Sequence, residues 1–335
     1  MTAAPLRWGL IGAAAIGRYW MVDAIRQARG VVSAVVSRDA EHGRNYAMAC
    51  RISKSLTSLE ALWPEIDAVY IATTNDRHRD ACVAAAAAGK HVLCEKPLAT
   101  RLADAEPLIA ACRQAGVVLG VNHHLRNAPA HRVAREAIAA GRIGRPLAAR
   151  VLHGGALPEH LHGWRLHTPG AGAGVVLDLT VHDADLLRFL LNDEPESVSA
   201  AAQNGGLASD GIEDAVMGVI IFRSGLLAQF ADSFTMPAVR SAVEIHGSLG
   251  SILMPDTMAP TPKGAVVIRT EEGEQVLPMV VENTYMHVIE AMHKAIAGKG
   301  QPTASGEDGL RSLAVALAAL RSAGSGRSEH IGEPA

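Results

Sequence analysis

The sequence predicts an α/β chain in two parts: a doubly wound parallel sheet at the amino end, then an α+β region built on an antiparallel sheet. Three observations carry this. Short apolar runs alternate with helix-like stretches from Leu6 to Val121, the pattern of a parallel sheet with helices on both faces. The first run ends in a glycine-bearing turn, Gly12-Ala-Ala-Ala-Ile-Gly17, that opens a helix. Beyond Leu147, neighbouring strands are joined by a tight turn at Arg223-Ser-Gly225, a connection that only antiparallel strands can use.

Leu6 to Ile11 is the first strand and Ile16 to Ala28 the first helix. This is the strand–turn–helix context of a dinucleotide fingerprint: Gly12 suits the tight turn, Gly17 lets helix approach strand, and the helix amino end can hold pyrophosphate. Ala14 stands where the fingerprint has its middle glycine. The second strand, Val31 to Val36, ends in Ser37-Arg38. A hydroxyl and a guanidinium there suit the 2′-phosphate of NADP, whereas an acid would bind the ribose 2′-hydroxyl of NAD. Asp39, one residue later, leaves NAD open as a secondary cofactor. His42 is within reach of the same phosphate, or is a plain helix-surface histidine.

Asp67 to Ala72 is the next strand, followed by Thr73-Thr74-Asn75-Asp-Arg-His78. Small hydroxyl and amide side chains in that position leave room for a cofactor and hydrogen-bond it, or else cap the next helix. The helix Asp80 to Ala88 leads to the strand His91 to Cys94 and then to Glu95-Lys96-Pro97. A charged pair at the carboxyl end of such a strand points into the crevice where ligands bind, and Pro97 fixes the local path. The alternative is a surface Glu–Lys pair in a loop. Lys90 precedes the strand, at its opposite end, and is expected in solvent. The helix Leu102 to Ala115 and the strand Val117 to Val121 complete the series.

The polar stretch Asn122-His-His-Leu-Arg-Asn127 links the halves, and Pro129 to Ala140 reads as helix. Strands follow at Leu147 to His153, Val216 to Phe222 and Leu226 to Phe234. Between the first two, Gly170-Ala-Gly-Ala-Gly174 leads into a helix carrying Asp178, His182 and Asp185. Spacings of four and three place these on one helix face, where a carboxylate can orient an imidazole and keep it available as a proton donor; a satisfied core histidine is the plainer alternative. Trp164-Arg165, in a loop-like stretch, is suited to covering a polar ligand. His160 and His162 have no nearby cluster of partner ligands, so no metal is expected.

The 335 residues allow two domains with full cores. A formal charge of -3 and 4% aromatics argue against nucleic acid and against a membrane surface. No apolar run reaches membrane-spanning length, and Met1 to Trp8 lacks the features of an export signal. Cys50, Cys82, Cys94 and Cys112 lie far apart without a Cys-x-x-Cys pair, which fits a reducing cytoplasm.

The residues resemble the glucose–fructose oxidoreductase/inositol dehydrogenase/MocA (Gfo/Idh/MocA) family. The resemblance runs from Arg7 to about Ala323 and is carried by Glu95-Lys96-Pro97 and by Gly174-x-x-x-Asp178-x-x-x-His182-x-x-Asp185. More narrowly, Arg7-Trp-Gly-Leu-Ile-Gly12, His91 to Ala99, Asn122 to Asn127, Gly163-Trp-Arg-Leu166 and Thr180-Val-His-Asp-Ala-Asp185 are similar to members that reduce a 2-keto sugar with NADPH. Those members have Ser in place of Ala14 and Ala in place of Gly17. The resemblance implies a Rossmann nucleotide domain over 1–122 and an α+β domain with an open, mostly antiparallel sheet over 123–323, with catalysis in the cleft between. Residues 324–335 read as a loose tail.

The resemblance also assigns Lys96, Asp178 and His182 to chemistry. It assigns Ala13, Ala14, Ala15, Ile16, Ser37, His42, Thr73, Thr74, Asn75, His78, Glu95, Lys96, Asn122, Trp164, Arg165 and Tyr285 to the cofactor, beside Gly12, Gly17 and Arg38. His153, Trp164 and Arg165 are candidates for substrate hydroxyls, or else a strand end and salt contacts. NADPH would deliver hydride to a ketone carbon of a keto sugar. Lys96 would polarise the carbonyl oxygen and His182, paired with Asp178, would protonate it; Asp178 could instead bond a neighbouring hydroxyl. Sequence leaves the choice of donor between Lys96 and His182 open, as it does monomer against homo-oligomer. Two rival readings are an NAD-linked inositol or polyol dehydrogenase and a non-catalytic nucleotide-sensing protein. Loss of the lysine or histidine would mark the latter, and both are present.

Overall fold

Six parallel strands form the first sheet: β1 (Arg7–Ile11), β2 (Val31–Val36), β3 (Lys54–Leu56), β4 (Ala68–Ile71), β5 (His91–Cys94) and β6 (Leu119–Val121). Their order is β3-β2-β1-β4-β5-β6, and every pairing is parallel. The computed structural model describes residues 4–259, 264–280 and 282–332; residues 1–3 of the expected first domain and 333–335 of the expected tail lie outside them. β4 is buried along its whole length, as a central strand covered on both faces must be. The connecting helices are α1 (Val22–Gln27), α2 (Ala40–Cys50), α3 (His78–Ala87) and α4 (Leu102–Gln114). The first helix is not regular throughout: a π turn over Gly17–Met21 precedes α1.

The chain divides into two units, Met1–His123 with Tyr285–Leu310 and His124–Thr284 with Arg311–Ala335. The sequence reading kept 123–323 together, and the difference has a physical cause. α8 (Thr284–Ile296) carries Tyr285, Val288, Ile289 and Met292 on one face, and these join the core formed by Trp8, Ile25, Val35, Tyr70 and Leu93. Trp8 Nε1 donates to His293 Nε2 at 3.0 Å, fixing the end of that helix.

The second unit is built on nine strands: β7 (Pro146–Gly154), β8 (Pro195–Gln203), β9 (Ala215–Phe222), β10 (Leu227–Ser233), β11 (Ala242–Gly247), β12 (Gly250–Pro255), β13 (Val266–Thr270), β14 (Gly273–Leu277) and β15 (Glu329–His330). Their order is β14-β13-β12-β11-β7-β10-β9-β8-β15. All pairings are antiparallel except β7 with β10. α5 (Pro129–Ala139), the short α6 (Trp164–His167), α7 (Val181–Leu191) and the later turns of α9 (Gly306–Ser325) complete it. The stretch expected as a loose tail is docked up to residue 332: α9 runs through Gly324 and Ser325, and β15 pairs with the edge of β8. Ser322 Oγ donates to Arg327 O at 2.6 Å and Ile331 is buried, so this segment covers an edge strand that would otherwise stay open. Among the described residues no helix is long and apolar enough to cross a membrane.

Candidate active site

The turn after β1 is where the first unit departs from ordinary backbone. Gly12 has φ of +102°, and a Cβ there would stand 2.6 Å from Ala72 O. Only glycine fits both constraints. Ala13, Ala14, Ala15 and Ile16 are partly exposed beyond it. At Gly17 a Cβ would meet the Tyr46 hydroxyl at 2.5 Å, so the helix lies close against α2. His42, on α2, reaches back with Nε2 3.0 Å from Ala13 O, tying the two segments expected to hold the nucleotide. Ser37 is partly exposed and Arg38 exposed at the end of β2. Asp39 caps α2: its Oδ1 accepts from Glu41 N at 2.9 Å and His42 N at 3.0 Å. Gly12→Ala is expected to destabilise the chain by about 1–3 kcal/mol through strained backbone and to abolish any rise in melting temperature on adding NADH or NADPH, read by thermal unfolding with and without nucleotide.

The carboxyl ends of β4 and β5 hold a second cluster. Glu95 is buried; its Oε1 accepts from the Tyr70 hydroxyl and, at 2.6 Å, from Asn122 Nδ2, while Oε2 accepts from Lys96 N at 3.3 Å. Burial pushes the Glu95 carboxyl above the usual range, against the pull of those donors and of Lys96. Lys96 itself is partly buried, on a cis bond to Pro97. Tyr285 is buried in the same unit, stacked on Trp20 with ring centroids 5.7 Å apart.

His78 has a bracing role: its Nδ1 lies 2.9 Å from Pro97 O and its Nε2 3.3 Å from Thr73 O. Burial lowers its pKa, and a neutral imidazole donates through one nitrogen, so the shorter contact to Pro97 O is the natural hydrogen bond. Thr74 makes no side-chain cap bond to the turn over Asn75–Arg77, so the capping alternative does not use its hydroxyl. Thr73 Oγ1 donates to Thr74 O at 3.2 Å, and Asn75 is buried. Lys90 is also not in open solvent; its Nζ donates to Ile66 O at 2.9 Å.

In the second unit the glycine-rich lead-in serves a carboxylate. Val176 N donates to Glu213 Oε1 at 3.2 Å, and any Cβ on Gly174 would collide with that carboxylate. Asp178 lies in a π turn over Val176–Thr180, and His182 in the first turn of α7. Asp178 Oδ2 is 3.5 Å from Arg165 Nε, and the Arg165 guanidinium lies 4.6 Å from the Trp164 ring centre. His182 is 5% exposed. Its ring centroid is 5.0 Å from that of His124, edge to face, and 6.2 Å from that of His153. The unit therefore brings Trp164 to Arg165 to Asp178, and His153 to His182. On the same helix, Arg126 holds Asp185 through Nε and Nη2, both at 2.7 Å.

Three groups went unassigned in the sequence. His124 sits against His182, and only its place in a buried polar run could have signalled it. Asp183 and Asp232 are buried on α7 and β10, and their meeting with His153 depends on strand pairing that sequence does not display.

Two family descriptions match the chain: "Oxidoreductase family, NAD-binding Rossmann fold" over residues 6–123 and "GFO/IDH/MocA C-terminal domain" over residues 131–253. A 1,5-anhydro-D-fructose reductase from Ensifer adhaerens is 52% identical over 327 residues, 97% of this chain and 98% of that protein. The chain belongs to the Gfo/Idh/MocA family. An inositol 2-dehydrogenase from Rhizobium meliloti is 30% identical over 342 residues, covering 95% of this chain and 96% of its own. The crystal structure of an oxidoreductase domain protein from Kribbella flavida superposes with a TM-score of 0.88 at 27% identity, covering 99% of this chain and 100% of that one.

As a Gfo/Idh/MocA oxidoreductase, the chain has a turn that suits a nicotinamide dinucleotide. The left-handed Gly12, packed so close to Ala72 O that a Cβ would collide with it, the half-buried alanines after it and the helix start beyond suit a pyrophosphate. Asn122 adds a buried Oδ1 that accepts no hydrogen bond from the described residues, matched to a donor such as an amide.

Proposed function

We propose that this protein reduces the 2-keto group of 1,5-anhydro-D-fructose to 1,5-anhydro-D-mannitol with NADPH. The observation that carries the reading is the 52% identity, over 97% of the chain, to a 1,5-anhydro-D-fructose reductase. The bound nicotinamide supplies the hydride. Gly12 to Gly17, Ser37, Arg38, His42, Thr73 to Asn75, Glu95 and Asn122 hold the dinucleotide, with Tyr285 behind them in the core. Ser37 and Arg38 favour the 2′-phosphate, and Asp39 beside them gives its Oδ1 to the cap of α2.

Lys96 hydrogen-bonds the carbonyl oxygen of the substrate and stabilises the charge that develops there. Glu95, fixed by Tyr70 and Asn122, holds the segment that carries Lys96. His182 gives a proton to the emerging alkoxide. Arg165, Asp178, Trp164 and His153 bind the remaining hydroxyls. The protein is read as a cytoplasmic enzyme of small molecules.

The test follows absorbance loss with NADPH and with NADH against 1,5-anhydro-D-fructose, and absorbance gain with NAD and NADP against myo-inositol. Turnover of the keto sugar with NADPH above NADH is the expected result. NAD-linked oxidation of myo-inositol, with no turnover of the keto sugar, would replace the reading by that of a polyol dehydrogenase.

A further inference from the structure

We infer that Asp183 and Asp232 share a single proton, and that this carboxyl–carboxylate pair is the positioning element that fixes His153 beside His182. The oxygens divide cleanly. Asp183 Oδ1 is 2.8 Å from His153 Nδ1, and Asp232 Oδ2 accepts from Thr180 Oγ1 at 2.5 Å. Asp183 Oδ2 and Asp232 Oδ1 are buried and accept from no other donor among the described residues. The two carboxyls meet at His153: Asp232 is its register partner on the adjoining strand and Asp183 is its hydrogen-bond partner, and each carboxyl perturbs the other. Two ionised carboxylates can only accept, so both inner oxygens would stay unsatisfied in the interior. One proton between them makes one a donor and satisfies both.

Charge leads to the same result. Asp183 is 0% exposed and Asp232 1%. Burial pushes Asp183 up to about 7, and burial followed by the Asp183 charge pushes Asp232 well above the carboxylate range. His153, at the end of β7, is the imidazole within hydrogen-bond distance of the pair. Asp183 thereby accepts from His153 Nδ1–H and fixes the ring, so that Nε2 is the nitrogen left for other partners. The pair also links α7, which carries His182, to β7 and β10. Asp183 is the residue next to His182, so the same bond that orients His153 sets the rotation of the turn that presents His182.

The assignment of a substrate to His153 and His182 rests on the function proposed above; the shared proton does not. Infrared spectra of the full chain at neutral pH, without substrate, test the proton by itself. A carbonyl stretch of a protonated carboxyl is expected in the unaltered protein and is lost in both Asp232→Asn and Asp183→Asn, because an amide at either position supplies the shared donor without a titrating proton. No such band, or a band that survives both substitutions and so belongs to another buried acid such as Glu95, would overturn the inference.

Turnover tests the positioning. Asp232→Asn keeps the hydrogen bonds and is expected within about threefold of the unaltered kcat/KM, whereas Asp232→Leu loses at least tenfold, chiefly in kcat. Equal kcat for the Asn and Leu variants would show that the pair does not position the site. A chain that shows the infrared band but turns over no keto sugar with NADPH would fail the function and keep the pair.

Discussion

Replacing His182 with alanine is expected to lower kcat for keto-sugar reduction by about 10²–10⁴-fold, the usual worth of a positioned general acid, while NADPH binding stays near normal. The two effects separate because of where the groups lie. The proposed nucleotide contacts through the Gly12 turn, Ser37 and Arg38 belong to the first unit, whereas His182 belongs to α7 of the second. The substitution spares Leu186, Leu187 and Leu190, the apolar residues that seat α7. His182 is not an ordinary core histidine: aromatic nitrogen rings flank it, His124 at 5.0 Å and His153 at 6.2 Å between centroids. Three imidazoles in one buried corner are an expensive arrangement for stability alone. Steady-state rates and a fluorescence titration with NADPH check the result. Unchanged turnover would remove His182 from the proton transfer and leave that step to Lys96, and Lys96→Met would then carry the larger loss.

The legible parts of this chain were those written locally. Strand and helix periods place β1, β2, β4 and β5, and Gly12 announces its turn because nothing else fits a φ of +102° against Ala72 O. Glu95-Lys96-Pro97 could be found because a charged pair at a strand's carboxyl end is rare and chemically pointed. The illegible parts depend on partners distant in sequence. The amphipathic face of α8 states that the helix is buried, but not that it buries against Trp8 and Tyr70, both far earlier in the chain. The i, i+3 spacing of His182 and Asp185 is real, yet it does not reveal that Arg126 claims the carboxylate. A two-residue strand, β15, gives no periodic signal at all, and only the open edge of β8 explains its docking. His78 could be seen as a polar residue after β4, but its two carbonyl partners are contributed by separate loops.

Arg126→Met is expected to destabilise the chain by about 3–5 kcal/mol, the range for breaking a buried ion pair from one side. Arg126 is 7% exposed and Asp185 1%, and two parallel bonds at 2.7 Å join them. With the arginine gone, Asp185 retains Ser312 Oγ at 3.1 Å and the Arg188 guanidinium at 4.0 Å. Neither replaces a bidentate guanidinium, so the carboxylate keeps most of its desolvation penalty without the charge that offset it. For a domain of this size the loss corresponds to a fall of roughly 10 °C in melting temperature. Arg126→Met with Asp185→Leu should recover most of it, since removing both charges also removes the penalty. Thermal unfolding of the three proteins decides the matter: a single variant within about 1 kcal/mol of the parent would mean that Arg188 takes over the carboxylate. The double variant reaches further than stability. Asp185 lies one turn from His182 on α7, so if the ion pair also sets the rotation of that turn, the rescued protein will melt like the parent and still turn over more slowly.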